Sequence, residues 1–285
     1  MRRPHLVLTV VAALLLPATR ASAQVEERVI YASVVDRAGA PALDLPVTEF
    51  TVREDGQARE VLRVERDTDL LQIALLVDNS AIMRNQVAQL RRSAAAFVSA
   101  TRPGVPIALI TLAERPTIAA AYTTDHAIVL KAIDKMFAFE AGSYLLDGIS
   151  ETAQGLSQRQ LWRSVLVALT GLGPELSYRQ SNEALRIFRE AGASLHVLQL
   201  GTGPGERERD IVLNAATSET GGRFEEALMP AGLEAKAKQL GAELSNQYRV
   251  VYARPNRMVP PKRIQISVKR ADLRVRGMAA KTDRD

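Results

Sequence analysis

The sequence predicts an α/β protein: a doubly wound, mostly parallel sheet with a small β-rich flanking domain formed by its N- and C-terminal strands. Three observations carry that prediction. Between Leu70 and about Met229, near-continuous apolar runs alternate with segments whose apolar residues recur every three or four positions. Strands buried on both faces and amphipathic helices show these two patterns. The block is bracketed by β-rich segments at 24–66 and after residue 247. Two or three strands are marginal alone, so the brackets are expected to meet in one small sheet or sandwich.

The elements follow in order. Met1-Arg2-Arg3-Pro4 is basic, Leu6 to Leu16 is apolar, and Ala21-Ser22-Ala23 offers small residues for cleavage, the pattern of a secretory signal peptide over 1–23. Its apolar stretch falls short of the roughly 18 to 20 residues a membrane-spanning helix needs. No later segment comes closer, so no spanning segment is expected once the leader is removed. Residues 24–66 form the N-terminal β-rich flank, where Asp55-Gly56 between two β-rich runs signals a hairpin. Pro41 and Pro46 confine the stretch before it to irregular structure or an edge.

Residues 68–230 form the α/β domain. Strands are expected over 71–77, 106–112, 116–122, 164–170 and 194–200, with a short one near Arg223-Phe224. Helices are expected over 83–100, 125–136, 145–157, 181–191 and 206–217, and Gly192 stands where a helix C-cap belongs. Residues 233–276 read as a helix (233–244) and a β-hairpin that pairs with the N-terminal flank, with a Pro-rich turn over 255–261. The tail 277–285 is polar and expected to fray.

The chain of 285 residues has a formal charge of +5, but Arg2, Arg3 and Arg20 supply three of those charges, leaving +2 after the leader. Acids and bases are interleaved, so no nucleic-acid partner is expected. The one basic excess, Lys262, Arg263, Lys269, Arg270, Arg274 and Arg276, is expected on the outer face of the hairpin whose inner face is Ile264, Ile266 and Val268. With no cysteine there is no disulfide, lipid-modified cysteine or thiolate metal site. Export without disulfides points to a bacterial periplasmic or secreted protein held by its core alone.

The run Gln72-Ile73-Ala74-Leu75-Leu76-Val77 stops at Asp78-Asn79-Ser80. This places an acid and a hydroxyl at the carboxyl end of a buried strand, outside which open α/β sheets bind ligands. The same trio also serves as an ordinary turn or helix N-cap, because these side chains accept from nearby backbone N–H groups. Other signals are weaker. Gly201-Thr202-Gly203-Pro204-Gly205 follows a strand but lacks the endings and spacings of phosphate loops, and is expected to be a flexible connection. His126 and His196 have no second histidine at metal-ligand spacing and are expected to be structural. There is no Gly-x-Ser-x-Gly elbow, and Ser80 has no evident histidine partner, which disfavours a hydrolase. Trp162 and Phe137 are expected to pack, with interface roles as the alternative.

Four segments share a further pattern: Ala74-Leu75-Leu76-Val77-Asp78-Asn79-Ser80, Ala141-Gly142-Ser143-Tyr144-Leu145-Leu146-Asp147-Gly148-Ile149, Val165-Leu166-Val167-Ala168-Leu169-Thr170-Gly171 and Thr220-Gly221-Gly222-Arg223-Phe224. With Phe50-Thr51-Val52-Arg53-Glu54-Asp55-Gly56 and Gln247-Tyr248-Arg249-Val250-Val251-Tyr252 they resemble, in order and spacing, the von Willebrand factor type A family. Within it, the likeness is to exported bacterial proteins whose domain sits between β-rich flanks.

That resemblance implies a metal-ion-dependent adhesion site, in which Asp-x-Ser-x-Ser, a Thr from a second loop and an Asp from a third hold a divalent cation, often Mg²⁺. Carried over by position, Asp78 and Ser80 match the first two ligands and Ser143 stands where Thr is usual. Ile82 takes the second serine's place and Gly171 that of the second acid. A set short of one carboxylate and one oxygen donor binds a hard cation poorly, so no cofactor is expected beyond weak Mg²⁺. Glu175, four residues past Gly171, is a candidate substitute acid, although most loop glutamates are simply solvated. Asp147 is expected as a helix-start acid.

The resemblance implies a non-enzymatic, exported adhesion or scaffold protein that presents the rim of Asp78, Asn79, Ser80, Ser143 and Gly171 to a protein partner. Its binding is expected to be weakly metal-dependent or metal-independent. The alternatives are an envelope α/β enzyme using Asp78 and a structural protein with a decayed site. A deep cleft over the strand ends favours the enzyme, and a shallow rim favours adhesion. Partner identity and oligomeric state are not specified by the sequence.

Overall fold

Apolar runs buried from both sides need cover on both faces, and a computed structural model supplies it. The structure describes residues 25–159, 163–256, 259, 261 and 263–279. The signal peptide, Trp162, Lys262 and the tail beyond 279 lie outside the described residues. The N-terminal flank contains β1 (Val25–Val35), β2 (Phe50–Glu54), β3 (Gln57–Arg59) and β4 (Val61–Arg66). Then come β5 (Leu71–Val77), α1 (Val87–Ala100), β6 (Ile107–Thr111), β7 (Thr117–Thr123), α2 (His126–Lys135) and α3 (Leu145–Gln158). These are followed by β8 (Arg163–Gly171), α4 (Ser181–Ala191), β9 (Ser194–Leu200), α5 (Arg207–Glu219), β10 (Phe224–Ala227) and α6 (Pro230–Ser245). The chain closes with β11 (Tyr248–Pro255), β12 (Ile264–Val268) and β13 (Arg274–Ala279).

The central sheet has the order β10-β9-β8-β5-β6-β7, and every neighbouring pair is parallel except β6–β7. Alternate residues of a strand face opposite sides. Ile73, Leu75, Val77, Val165 and Val167 therefore share a core with apolar residues of α1, α2 and α6. Ala74, Leu76, Leu166 and Ala168 share the other with α3, α4 and α5. This is the doubly wound arrangement that the sequence predicts. Helix α4 stops where Gly192 takes a left-handed conformation, φ 64°, which glycine adopts without steric cost.

The two β flanks meet. β1 pairs antiparallel with β11 and β13, β4 joins β11, and β12-β2-β3 form a second sheet. The sheets enclose Ile30, Val34, Phe50, Val52, Tyr248 and Val250, making a small sandwich. Asp55 and Gly56 (φ 47° and 82°) form the tight turn between β2 and β3, both left-handed as a two-residue hairpin requires.

Three details differ from the sequence reading. Gly277 opens no frayed tail but lies inside β13, opposite Ala32 of β1. β12 and β13 are not a hydrogen-bonded hairpin: they belong to different sheets, because Ile264, Ile266 and Val275 all turn into the sandwich core from opposite walls. Helix α6, grouped by sequence with the C-terminal hairpin, packs on the central sheet through Leu233, Ala237, Leu240 and Leu244.

The seam between the sandwich and the α/β unit is close and charged. A Cβ at Gly221 would strike the carbonyl of Gly277 across the seam. Arg223 donates to Glu225 and to Glu243 (2.8 Å), while Arg276 donates twice to Glu243 (2.8 and 3.2 Å). Arg276 thus turns inward, whereas Arg263, Lys269, Arg270 and Arg274 are exposed as the sequence predicts.

Candidate functional site

The carboxyl ends of β5 and β8 lie side by side in parallel register, Val77 beside Leu169. Asp78 and Thr170 therefore emerge together, and the Asp78 amide donates to the Leu169 carbonyl (2.9 Å). Asp78 is buried, and both its oxygens are engaged. Oδ1 accepts from the Ser80 amide (3.0 Å) and Oδ2 from the Thr170 hydroxyl (3.1 Å). The acid is satisfied by neutral donors alone, as an Asx turn would satisfy it.

Asn79 stitches three segments together. Its Oδ1 accepts from the amides of Leu112 (3.2 Å) and Ala113 (3.0 Å), and its Nδ2 donates to the Phe137 carbonyl (3.0 Å). The Phe139 amide donates to the Asn79 carbonyl and the Ala81 amide to that of Ala141, each at 2.9 Å. Ser143 bridges the backbones of Ala113 and Glu175, and its buried hydroxyl has no hydrogen-bond partner. One Glu175 oxygen accepts from the Ser177 amide (3.0 Å) and the other is buried without a partner. Burial pushes this carboxyl up, against the pull of Ser177.

The loop beyond Ser80 sets what the site can hold. Residues Ala81–Gln86 form a 3-10 turn that carries Met83 inward, where its sulfur lies 2.6 Å from the position of a Cβ on Gly171. Ile82 likewise packs against Gly173, 3.0 Å from the position of its Cβ. The space in which a side chain at position 171 would stand is filled by thioether. Among the described residues no group of three or more His, Cys, Asp or Glu side chains gathers to hold a metal ion. At the matched positions Asp78, Ser80 and Ser143 offer one carboxylate and two hydroxyls.

Asp147 lies in the first turn of α3, as the sequence predicts, and also anchors the loop opposite. It accepts from the amides of Tyr178 (3.0 Å) and Arg179 (3.2 Å) and pairs with the Arg179 guanidinium. His126 is tied to the Val105 carbonyl (2.9 Å) and His196 is buried in β9, so neither stands at the strand ends. The glycine loop after β9 gives its amides to the protein's own acids: Gly203 to Glu226 and Gly205 to Asp210. Thr170 and Met83 carry roles that the sequence reading does not assign. Their signals are a terminal hydroxyl on an all-buried strand and an apolar residue where a strand-end loop is usually polar.

Around this floor the surface is apolar. Ile82 (48%), Phe137 (58%), Leu176 (47%) and Tyr178 (88%) are exposed, on three loops that hydrogen-bond to one another. Phe137 stacks on Phe139 (4.6 Å) and Tyr144 meets Tyr178 (6.0 Å). Beside the rim lies a hollow of about 360 Å³ lined by Asn79, Ile128, Lys131, Lys135, Phe137 and Phe139, but not by Asp78.

Residues 73–174 match the family model of the von Willebrand factor type A domain. This segment is a von Willebrand factor type A domain. Such domains generally mediate protein–protein interaction. Von Willebrand factor type A from Catenulispora acidiphila resembles the chain over 84% of this chain and 74% of its own, at 12% identity and a TM-score of 0.53. The hypothetical protein BatB from Bacteroides thetaiotaomicron covers 62% of this chain and 100% of its own, at 13% identity and 0.47. Proximal thread matrix protein 1 from the mussel byssus, solved with a zinc-occupied MIDAS motif, covers 67% and 49%, at 17% identity and 0.48. Of these three, the first establishes the shared fold. No curated protein sequence matches the chain.

Proposed function

We propose that this protein is an exported, non-enzymatic binding module whose type A domain meets a protein partner through the rim around Asp78, Asn79, Ser80, Ser143 and Gly171, with little or no dependence on metal. The observation that carries the reading is the exposed apolar collar of Ile82, Phe137, Leu176 and Tyr178 on three cross-bonded loops. Exposed apolar groups concentrated on one face mark interaction surfaces. Asp78 supports the same reading: it is buried, and its hydrogen-bond partners are a backbone amide and a threonine hydroxyl, neither of which is a group that would tune it for acid–base work. Lys131 and Lys135, beside the rim and without ion pairs among the described residues, favour a partner that brings acidic residues. Periplasmic or extracellular placement rests on the leader, 1–23.

Three measurements test this. Calorimetric titration with Mg²⁺ and Mn²⁺ is expected to give no saturable binding below millimolar metal, and saturable binding that Asp78→Ala abolishes would overturn metal independence. Proximity labelling in the native cell envelope is expected to yield partners that Phe137→Ser/Tyr178→Ser loses, whereas an unchanged partner set would remove the rim from the contact. Fractionation with residues 2–23 deleted is expected to trap the chain in the cytoplasm.

A further inference from the structure

The seam between the sandwich and the α/β unit contains a cavity of about 330 Å³, walled by the turn after β1 and by β10, α6 and β13. Five cations line it, Arg37, Arg223, Lys236, Arg274 and Arg276, against the carboxylates of Asp36 and Glu225. Glu243 lies behind the wall and is shared by Arg223 and Arg276. Three carboxylates thus answer five cations.

The excess is not relieved within the chain. Arg37 and Arg274 are exposed and make no ion pair among the described residues. Asp272, which senses Arg37, is already held by two hydrogen bonds from Arg270. Asp36 points Oδ1 into its own turn, where it accepts from the amides of Ala38 and Ala40, and makes no ion pair among the described residues. Arg276 gives Nε and one terminal nitrogen to Glu243, and its other terminal nitrogen has no hydrogen-bond partner among the described residues.

Guanidinium forks match the oxygens of phosphate groups two at a time, and a concave site with unbalanced positive charge concentrates anions. We infer that this cleft binds a small phosphate-type anion, of pyrophosphate size, through Arg37, Arg274 and the free edge of Arg276. The cavity volume fits a small molecule. An anion seated there ties the β1 turn and β13 of the sandwich to α6 and β10 of the α/β unit, so binding also stiffens the seam. The site is separate from the rim and does not depend on its function.

The test is calorimetric titration of the full chain with inorganic pyrophosphate at fixed ionic strength. Saturable binding is expected, weakened at least tenfold in Arg37→Gln/Arg274→Gln. Arg115→Gln, exposed and outside the cavity, is expected to bind like the parent. Pyrophosphate should raise the melting temperature of the parent and not of the double variant. Both replaced arginines are exposed and unpaired, so the double variant is expected to fold. No saturable heat at millimolar pyrophosphate, or equal binding by parent and double variant, overturns the inference.

Discussion

The rim and the seam invert the usual layout of a globular protein. At the rim the molecule exposes Phe137 and Tyr178 and buries Asp78 under neutral donors. At the seam it buries Glu243 between two guanidiniums. A carboxylate satisfied by an amide and a hydroxyl needs no counter-charge. One facing two arginines becomes indispensable, because its loss strands positive charge in a poorly solvated place. The contrast separates what holds the two units together from what is left free to meet something else.

The largest expected effect tests the seam. Glu243→Gln leaves Arg223 and Arg276 without their shared anion and should cost about 3–5 kcal/mol in chemical denaturation. A loss below about 1 kcal/mol would erase the contrast.

Next comes acid sensitivity at the same seam. Burial lowers the His196 pKa to about 4, with Glu243 working against that shift and Arg223 and Arg276 adding to it. Between about pH 6.5 and 4 the unfolded chain takes up a proton that the folded chain refuses, so stability rises with pH across that window and is lost as pH falls. The drop should reach about 3 kcal/mol near pH 4 and flatten in His196→Leu, as read from urea titrations. Glu243 adds to it at lower pH: burial raises its carboxyl, but Arg276 and Arg223 outweigh burial and hold it below the usual range. Its contribution is present above the ordinary carboxylate pKa and is lost as pH falls through the lowered one.

A smaller effect probes the floor of the rim. Gly171→Asp places a Cβ 2.6 Å from the Met83 sulfur and should cost about 1–3 kcal/mol through overpacking. Adding Met83→Ala opens that space, so the double variant should recover part of the loss in a thermal melt. The smallest effect is at the surface. Tyr178→Ser and Phe137→Ser should each change stability by no more than about 0.5 kcal/mol in a urea titration, while the pair of replacements removes the partners that the parent captures in proximity labelling.

Legibility followed the range of the interactions. Strand β5, strand β9 and helix α4 match the sequence-derived bounds, because each is written in local periodicity and, for α4, in the cap at Gly192. The meeting of the β flanks was legible from the instability of isolated strands, but their pairing was not, since β12 and β13 look like one hairpin yet join different sheets. Asp78, Asn79 and Ser80 stand at the strand end where the apolar run stops. Met83 was hidden because it reads as the start of a helix, whereas Ala81–Gln86 first makes a 3-10 turn. The Arg223–Glu243–Arg276 cluster was invisible, because its members lie 20 and 33 residues apart and no period links them.

The register of β1 has a consequence for the order of assembly. Ile30 finds its partners in Val250 and Ala279, so β1 must wait for β11 and β13 to be synthesised after the whole α/β domain. Closing so long a loop is slow, whereas the β5–β8 ladder is complete within the central domain. Pulse-labelled hydrogen exchange should therefore protect β5 and β8 before β1. Until β11 and β13 are made, β1 is an apolar strand with both edges open, and mispairing during biogenesis is expected to begin there.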